Sequence, residues 1–188
     1  MRKISVCLLI CSILICAGCT SRDRIKYVVS EFESQKVVVP FQKMSCWIND
    51  SAQQVRPWEN AKMKLIVYID SALCTECTLR KLYMWKDFIN MEQEYDDDFY
   101  IFFIFQPSSK ASESALVSKF RLAEINHPMY VDKNGELLKE NPHIPSESMC
   151  HTFLLNREGN VVLVGEPLFR ARIEKRLRDI VTKELKNR

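Results

Sequence analysis

Two stretches of the chain are apolar without interruption. "KLIVYI" (64–69) and "FYIFFIF" (99–105) each have the length of one strand and no polar face, the pattern of strands buried on both sides in a parallel sheet. Between them, Leu79, Leu82, Trp85 and Ile89 recur at helical spacing, so 75–90 is read as a helix. "ASESALVSKFRLAEI" (111–125) reads as a second helix, and "PMYVD" (128–132) as a short strand before the turn "DKNGE". "HTFLLNREGNVVLVG" (151–165) reads as two strands around a turn at Glu158-Gly159. The last segment sets Ile173, Leu177, Ile180, Val181 and Leu185 on one side of an amphipathic helix. Near the start, "YVVSEF" and "KVVVPF" are β-branched and suggest an opening pair of strands, while 48–62 is polar and reads as a loop. Strands that alternate with helices point to an α/β fold.

The N-terminus changes the picture of the cysteines. "MRKISVCLLICSILICAGC" has a basic start, an apolar run from Ile4 to Ala17, and small residues before Cys19. The run is short for a membrane span, which needs about 20 residues, and reads as an export signal. Its end resembles a bacterial lipobox, with Cys16 where leucine is usual. That resemblance implies a lipoprotein signal over 1–18, lipid on Cys19, a tether over 19–26 and one domain over 27–188. Loss of 1–18 removes Arg2 and Lys3 and no acid, so the formal charge falls from +3 to +1. A nearly neutral chain lacks the basic excess that nucleic acid asks for. Of the eight cysteines, Cys7, Cys11 and Cys16 fall in the signal. Beyond Cys19 there remain Cys46, Cys74, Cys77 and Cys150, too few for a disulfide scaffold.

Cys74 and Cys77 stand where the first apolar strand gives way to a helix. Amide N–H groups at a helix start are unpaired and favour negative charge, which stabilises a thiolate, the nucleophile of disulfide exchange. In this reading Cys74 attacks a substrate disulfide and Cys77 resolves the mixed disulfide. Glu76 between them disfavours a thiolate by like-charge repulsion and so predicts a more reducing couple.

The CxxC, the order of elements, "YVDKNGELLKE" and "HTFLLNREGNVVLVG" together resemble the thioredoxin-like superfamily, and within it the membrane-anchored redoxins of the TlpA type. The resemblance spans about 60–185. It implies a central mixed sheet flanked by helices with an N-terminal β extension, and no organic cofactor. It further implies thiol–disulfide exchange on exported proteins, a membrane dithiol donor, and a place in the cell envelope, facing the periplasm or outer surface. The family's aromatic residues before the first cysteine are replaced by Ser71, Ala72 and Leu73, and glycine and proline are missing between the cysteines. Nine positions before Gly159, where the family has its cis-proline, this chain has Cys150.

Rival readings follow from the same residues. The Cys74–Cys77 pair could be a structural disulfide in a binding module, or Cys74, Cys77, Cys150 and His151 could offer sulfur and imidazole to copper(I) or zinc. Cys150 is either a small residue filling the proline's space or a third thiol, and a bond to Cys46 is open. His127 and His143 read as turn or surface residues, His127 being extended by the proline after it.

Overall fold

A computed structural model describes residues 23–70, 81–96, 98–108, 113–122 and 125–186. Residues 23–32 are helical (α1). The strands are β1 (Ser45–Ile48), β2 (Ser51–Ala52), β3 (Met63–Ile69), β4 (Phe99–Phe105), β5 (Met129–Val131), β6 (Thr152–Leu155) and β7 (Val161–Val164). The further helices are α2 (Lys86–Gln93), α3 (Glu113–Leu122), α4 (Glu136–Glu140) and α5 (Ala171–Lys186).

One seven-stranded mixed sheet runs β2-β1-β5-β4-β3-β6-β7. β3 and β4 pair in parallel from Met63↔Phe99 to Ile69↔Phe105, and β4 and β5 are also parallel. β6 turns antiparallel against β3 and β7 against β6. The sequence pattern explains why β3 and β4 are central. Alternate residues feed opposite layers, as a pleat requires. Leu65, Val67, Ile69, Ile101, Phe103 and Phe105 pack under α2, α3 and α5, together with Trp85, Phe120 and Leu177. Ile66, Tyr68, Phe102 and Ile104 pack on the other side with Phe32, Phe41, Leu137 and Phe153.

The first predicted strand is a helix. "YVVSEF" lies within α1, whose Phe32 is buried edge-on to Phe153 with ring centroids 5.3 Å apart. Val28, Val29 and Phe32 share a helical face against the core, so packing overrides β propensity. "KVVVPF" contributes a single bridge, Lys36 to Asn160. The N-terminal strands are instead β1 and β2, and β2 together with a 3-10 turn (Pro57–Asn60) occupies the segment expected as loop. "DKNGE" holds more than a turn. Asp132 Oδ1 and Oδ2 accept from the N–H groups of Glu136 and Leu137 at 2.7 and 2.9 Å, and α4 starts there. Gly135 precedes it at φ 67°, the left-handed region that glycine enters without strain. Among the described residues no helix is long and apolar enough to cross a membrane.

Candidate functional site

β3 ends at Ile69, and Asp70 follows at the carboxyl edge of the sheet. Cys74, Cys77 and Cys19 lie outside the described residues. What is described is the surface from which the dithiol segment departs.

That surface is formed by the end of β3 and the entry to β6. Ser148–Cys150 makes one 3-10 turn, and then the Tyr68 N–H donates to the His151 carbonyl at 2.8 Å, which locks the entry of β6 beside the end of β3. The turn buries Cys150 completely and His151 almost so, at 4% exposure. His151 Nδ1 lies 3.2 Å from Asp70 Oδ2, an ion-pair distance, yet misaligned for a hydrogen bond, and neither ring nitrogen makes one. The imidazole stands edge-on to the Tyr68 ring, 5.6 Å between centroids. The Tyr68 hydroxyl donates to Gln106 Oε1 at 2.8 Å, and Gln106 N–H donates to Ile69 O, which ties the carboxyl ends of β3 and β4 together. Burial, then the charges of Asp132 and Asp70, push the Tyr68 phenol upward, so it stays protonated.

Cys150 is thus a sealed thiol. Burial, with a smaller push from Glu147, raises it to about 11. Cys46 on β1 is equally buried, and burial raises it to about 11 as well, the Arg56 charge opposing. Both thiols are free, so the bond left open between them is not made. Of the four side chains considered for a metal, Cys150 and His151 are adjacent here. Among the described residues no three His, Cys, Asp or Glu side chains are grouped to hold an ion.

Beside this edge opens a cavity of about 330 Å³, with Trp85, Met149, Thr152 and Leu168 in its wall and the charges of Lys81, Glu166 and Arg170 around it. Phe169, 60% exposed, stands next to it with the Lys81 ammonium 6.0 Å from its ring centre.

His127 is no surface residue. It is 2% exposed, bonded to Glu92, and stacked on Tyr100 toward the opposite end of the strands. His143 is exposed, as expected.

The chain aligns over 81% of its length with the solution structure of a thioredoxin-like protein in the oxidised form, covering 97% of that chain at 14% identity and a TM-score of 0.52. The fold is thioredoxin-like. A crystal structure titled "putative Thiol:disulfide interchange protein DsbE from Chlorobium tepidum" matches 78% of this chain and 96% of its own, at 12% identity and the same TM-score. No family model and no curated protein matches. At these identities the likeness speaks for the fold, which thioredoxin-like oxidoreductases share. The mixed sheet with helices on both sides agrees with the sequence reading.

Proposed function

We propose that the chain is a thiol–disulfide oxidoreductase of the cell envelope, with Cys74 as nucleophile and Cys77 as resolving thiol. The observation that carries this reading is positional. The CxxC begins five residues after the carboxyl end of a central parallel strand in a thioredoxin-like sheet, the edge where open α/β sheets meet their partners. The 330 Å³ cavity and the exposed Phe169 lie along that edge and give an extended substrate segment something to rest on.

The Cys74 thiolate attacks one sulfur of a substrate disulfide and displaces the other as a thiolate. Cys77 then attacks Cys74 and frees the substrate as a dithiol. The chain is left with a Cys74–Cys77 disulfide, which a membrane dithiol donor reduces. Exported proteins are the substrates, and lipid on Cys19 holds the domain at the membrane. The sealed Cys150 takes no covalent part.

Insulin reduction driven by excess dithiothreitol tests this. Wild type is expected to accelerate it, and Cys74→Ala to abolish the effect. A Cys74–Cys77 couple below about −300 mV would identify a structural bridge and overturn the proposal. Labelling with a radioactive fatty acid, lost on Cys19→Ala, tests the anchor.

A further inference from the structure

A second cavity lies at the amino ends of the parallel strands, where Ala61, Asp98 and His127 lead into β3, β4 and β5. The Pro57–Asn60 turn and α2 enclose about 440 Å³ there, the size of a small-molecule site. Its wall has two characters. One is aromatic. Trp58, Tyr100 and His127 form a ladder of nearly parallel rings, Trp58 on Tyr100 at 6.0 Å and 15°, Tyr100 on His127 at 5.1 Å and 22°. Tyr100 and His127 are buried, and Trp58 is half-buried. The other character is acidic. Glu92, Asp96 and Asp98 line the cavity, and among the described residues no lysine or arginine does. Glu92 is committed to the Ile101 N–H and His127, so it adds charge rather than a contact. Asp96 is exposed and Asp98 half-buried. Lys62, from outside the wall, sends its ammonium to Asp98 Oδ2. The acidic side thus already draws one ammonium. A cleft lined by charge of one sign focuses its field and concentrates the opposite ion, and an indole face attracts an ammonium.

We propose that this cavity is a binding site for an alkylammonium group, whose charge meets Asp96 and Asp98 and whose carbon stem lies against Trp58 and Ile89. A free alkylamine and the lysine side chain of a partner protein present the same chemistry. The site stands at the other end of the strands from the edge described above, and it does not depend on the redox function.

The test is a titration of the isotope-labelled full chain with n-butylammonium chloride, followed by the indole and side-chain amide signals in nuclear magnetic resonance. Trp58→Phe assigns the indole signal of residue 58. That indole and the amides of Asn60 and Asn126, which also line the cavity, are expected to shift together and saturate at millimolar concentration, as suits so small a ligand. n-Butanol, which lacks the charge, and sodium chloride at equal ionic strength should leave them in place. Asp96→Asn/Asp98→Asn should weaken binding about tenfold, since charge-assisted hydrogen bonds are lost. Lys62→Gln removes the resident competitor and should tighten it about threefold. Asp96→Asn alone, at an exposed position, serves if the double variant does not fold. A blocked Gly-Lys-Gly peptide titrated in parallel distinguishes the sources: binding tighter than butylammonium points to a partner's lysine, weaker binding to a free amine. Lack of a saturable shift with either cation overturns the proposal. So do equal shifts with n-butanol, the mark of an apolar cavity alone, and an affinity unmoved by the aspartate variants.

Discussion

Replacing Glu92 on α2 with leucine should cost far more than replacing it with glutamine, and the hydrogen bonds say why. β5 pairs only with Phe103–Phe105, so it ends before Ile101, whose N–H has no strand to meet. Glu92 Oε1 accepts from that N–H at 2.8 Å, and from His127 Nε2 at 3.1 Å. His127 Nδ1 lies 3.2 Å from the Pro128 carbonyl, which can only accept, so Nδ1 carries a hydrogen. An ionised carboxylate also only accepts. Both residues are almost fully buried, at 5% and 2% exposure. Leucine strips the Ile101 N–H and the His127 ring of their shared partner, and leaving buried polar groups without partners costs about 1–3 kcal/mol each. Glutamine keeps an oxygen to accept from the Ile101 N–H and an amide beside the His127 ring, so about 1 kcal/mol is expected. His127→Phe should resemble the leucine variant in cost, and Glu92→Leu/His127→Phe should cost at least 2 kcal/mol less than the sum of its parts. Urea unfolding followed by tryptophan fluorescence and by circular dichroism measures this, as a shift in midpoint at constant slope. Equal costs for the leucine and glutamine variants, or strict additivity in the double variant, would refute the reasoning.

Alkaline pH should destabilise the fold through its two sealed thiols. Each has its folded pKa raised from 9 to about 11 by burial, so between those values the unfolded chain loses protons that the folded one keeps. Stability then falls as pH rises, by roughly 2–3 kcal/mol per thiol, and Cys150→Ala should flatten the decline seen by urea titration from pH 8.5 to 10.5. Iodoacetamide at pH 8 should leave Cys46 and Cys150 unmodified in the native protein and label both in 8 M urea, as read by peptide mass spectrometry. Tyr130→Phe should cost about 1–3 kcal/mol, because the fully buried hydroxyl accepts from Trp58 Nε1 at 2.7 Å and donates to Glu59 at 2.8 Å; a neutral result in a melt would contradict it. Gly135→Ala should cost at least 1 kcal/mol, since the residue sits at φ 67° and the added carbon would stand 2.6 Å from the Gln106 amide nitrogen that neighbours the Tyr68 bond.

The central strands were legible because a residue pair buried on both faces leaves no polar register to misread. Ile66 and Leu65 are both at or below 1% exposure on opposite sides of β3. The opening helix was not, because Val28 and Val29 carry a strand's composition and only their packing with Phe32 settles the period. Strand β5 was readable from "PMYVD", while α4 was hidden by its length and by a start signal in which Asp132 caps from the preceding loop. At the site, a proline replaced by Cys150 is only what the family resemblance implies, whereas the CxxC can be read from the sequence alone. The Asp70–His151 contact cannot, since it joins residues far apart in the chain and exists only because β6 docks antiparallel on β3. His127 was misjudged for a related reason. The proline after it fixes its backbone, but its burial depends on Glu92, which reaches it from a helix on another element.

These two histidines form a natural comparison within one sheet. His127 lies toward the amino end of β4, and both of its nitrogens face acceptors in a site where the carboxylate also closes a strand end. Every atom there has a partner, so the pair explains itself as structure, and nothing about it asks for a ligand. His151 lies at the carboxyl end of β3, with a carboxylate equally near and no hydrogen bond to either nitrogen. The distances are alike in the two pairs, but the Glu92 side chain is 6% exposed and that of Asp70 19%. Stability alone would have paired both, because an unpaired buried donor is penalised wherever it lies. His151 stands at the carboxyl edge of the sheet, and His127 toward the other end of the strands. His127 and Glu92 together close a strand end, while both ring nitrogens of His151 lack a hydrogen bond. Variants at Glu92 and His127 should therefore move the unfolding midpoint, because each removes a partner that the other needs.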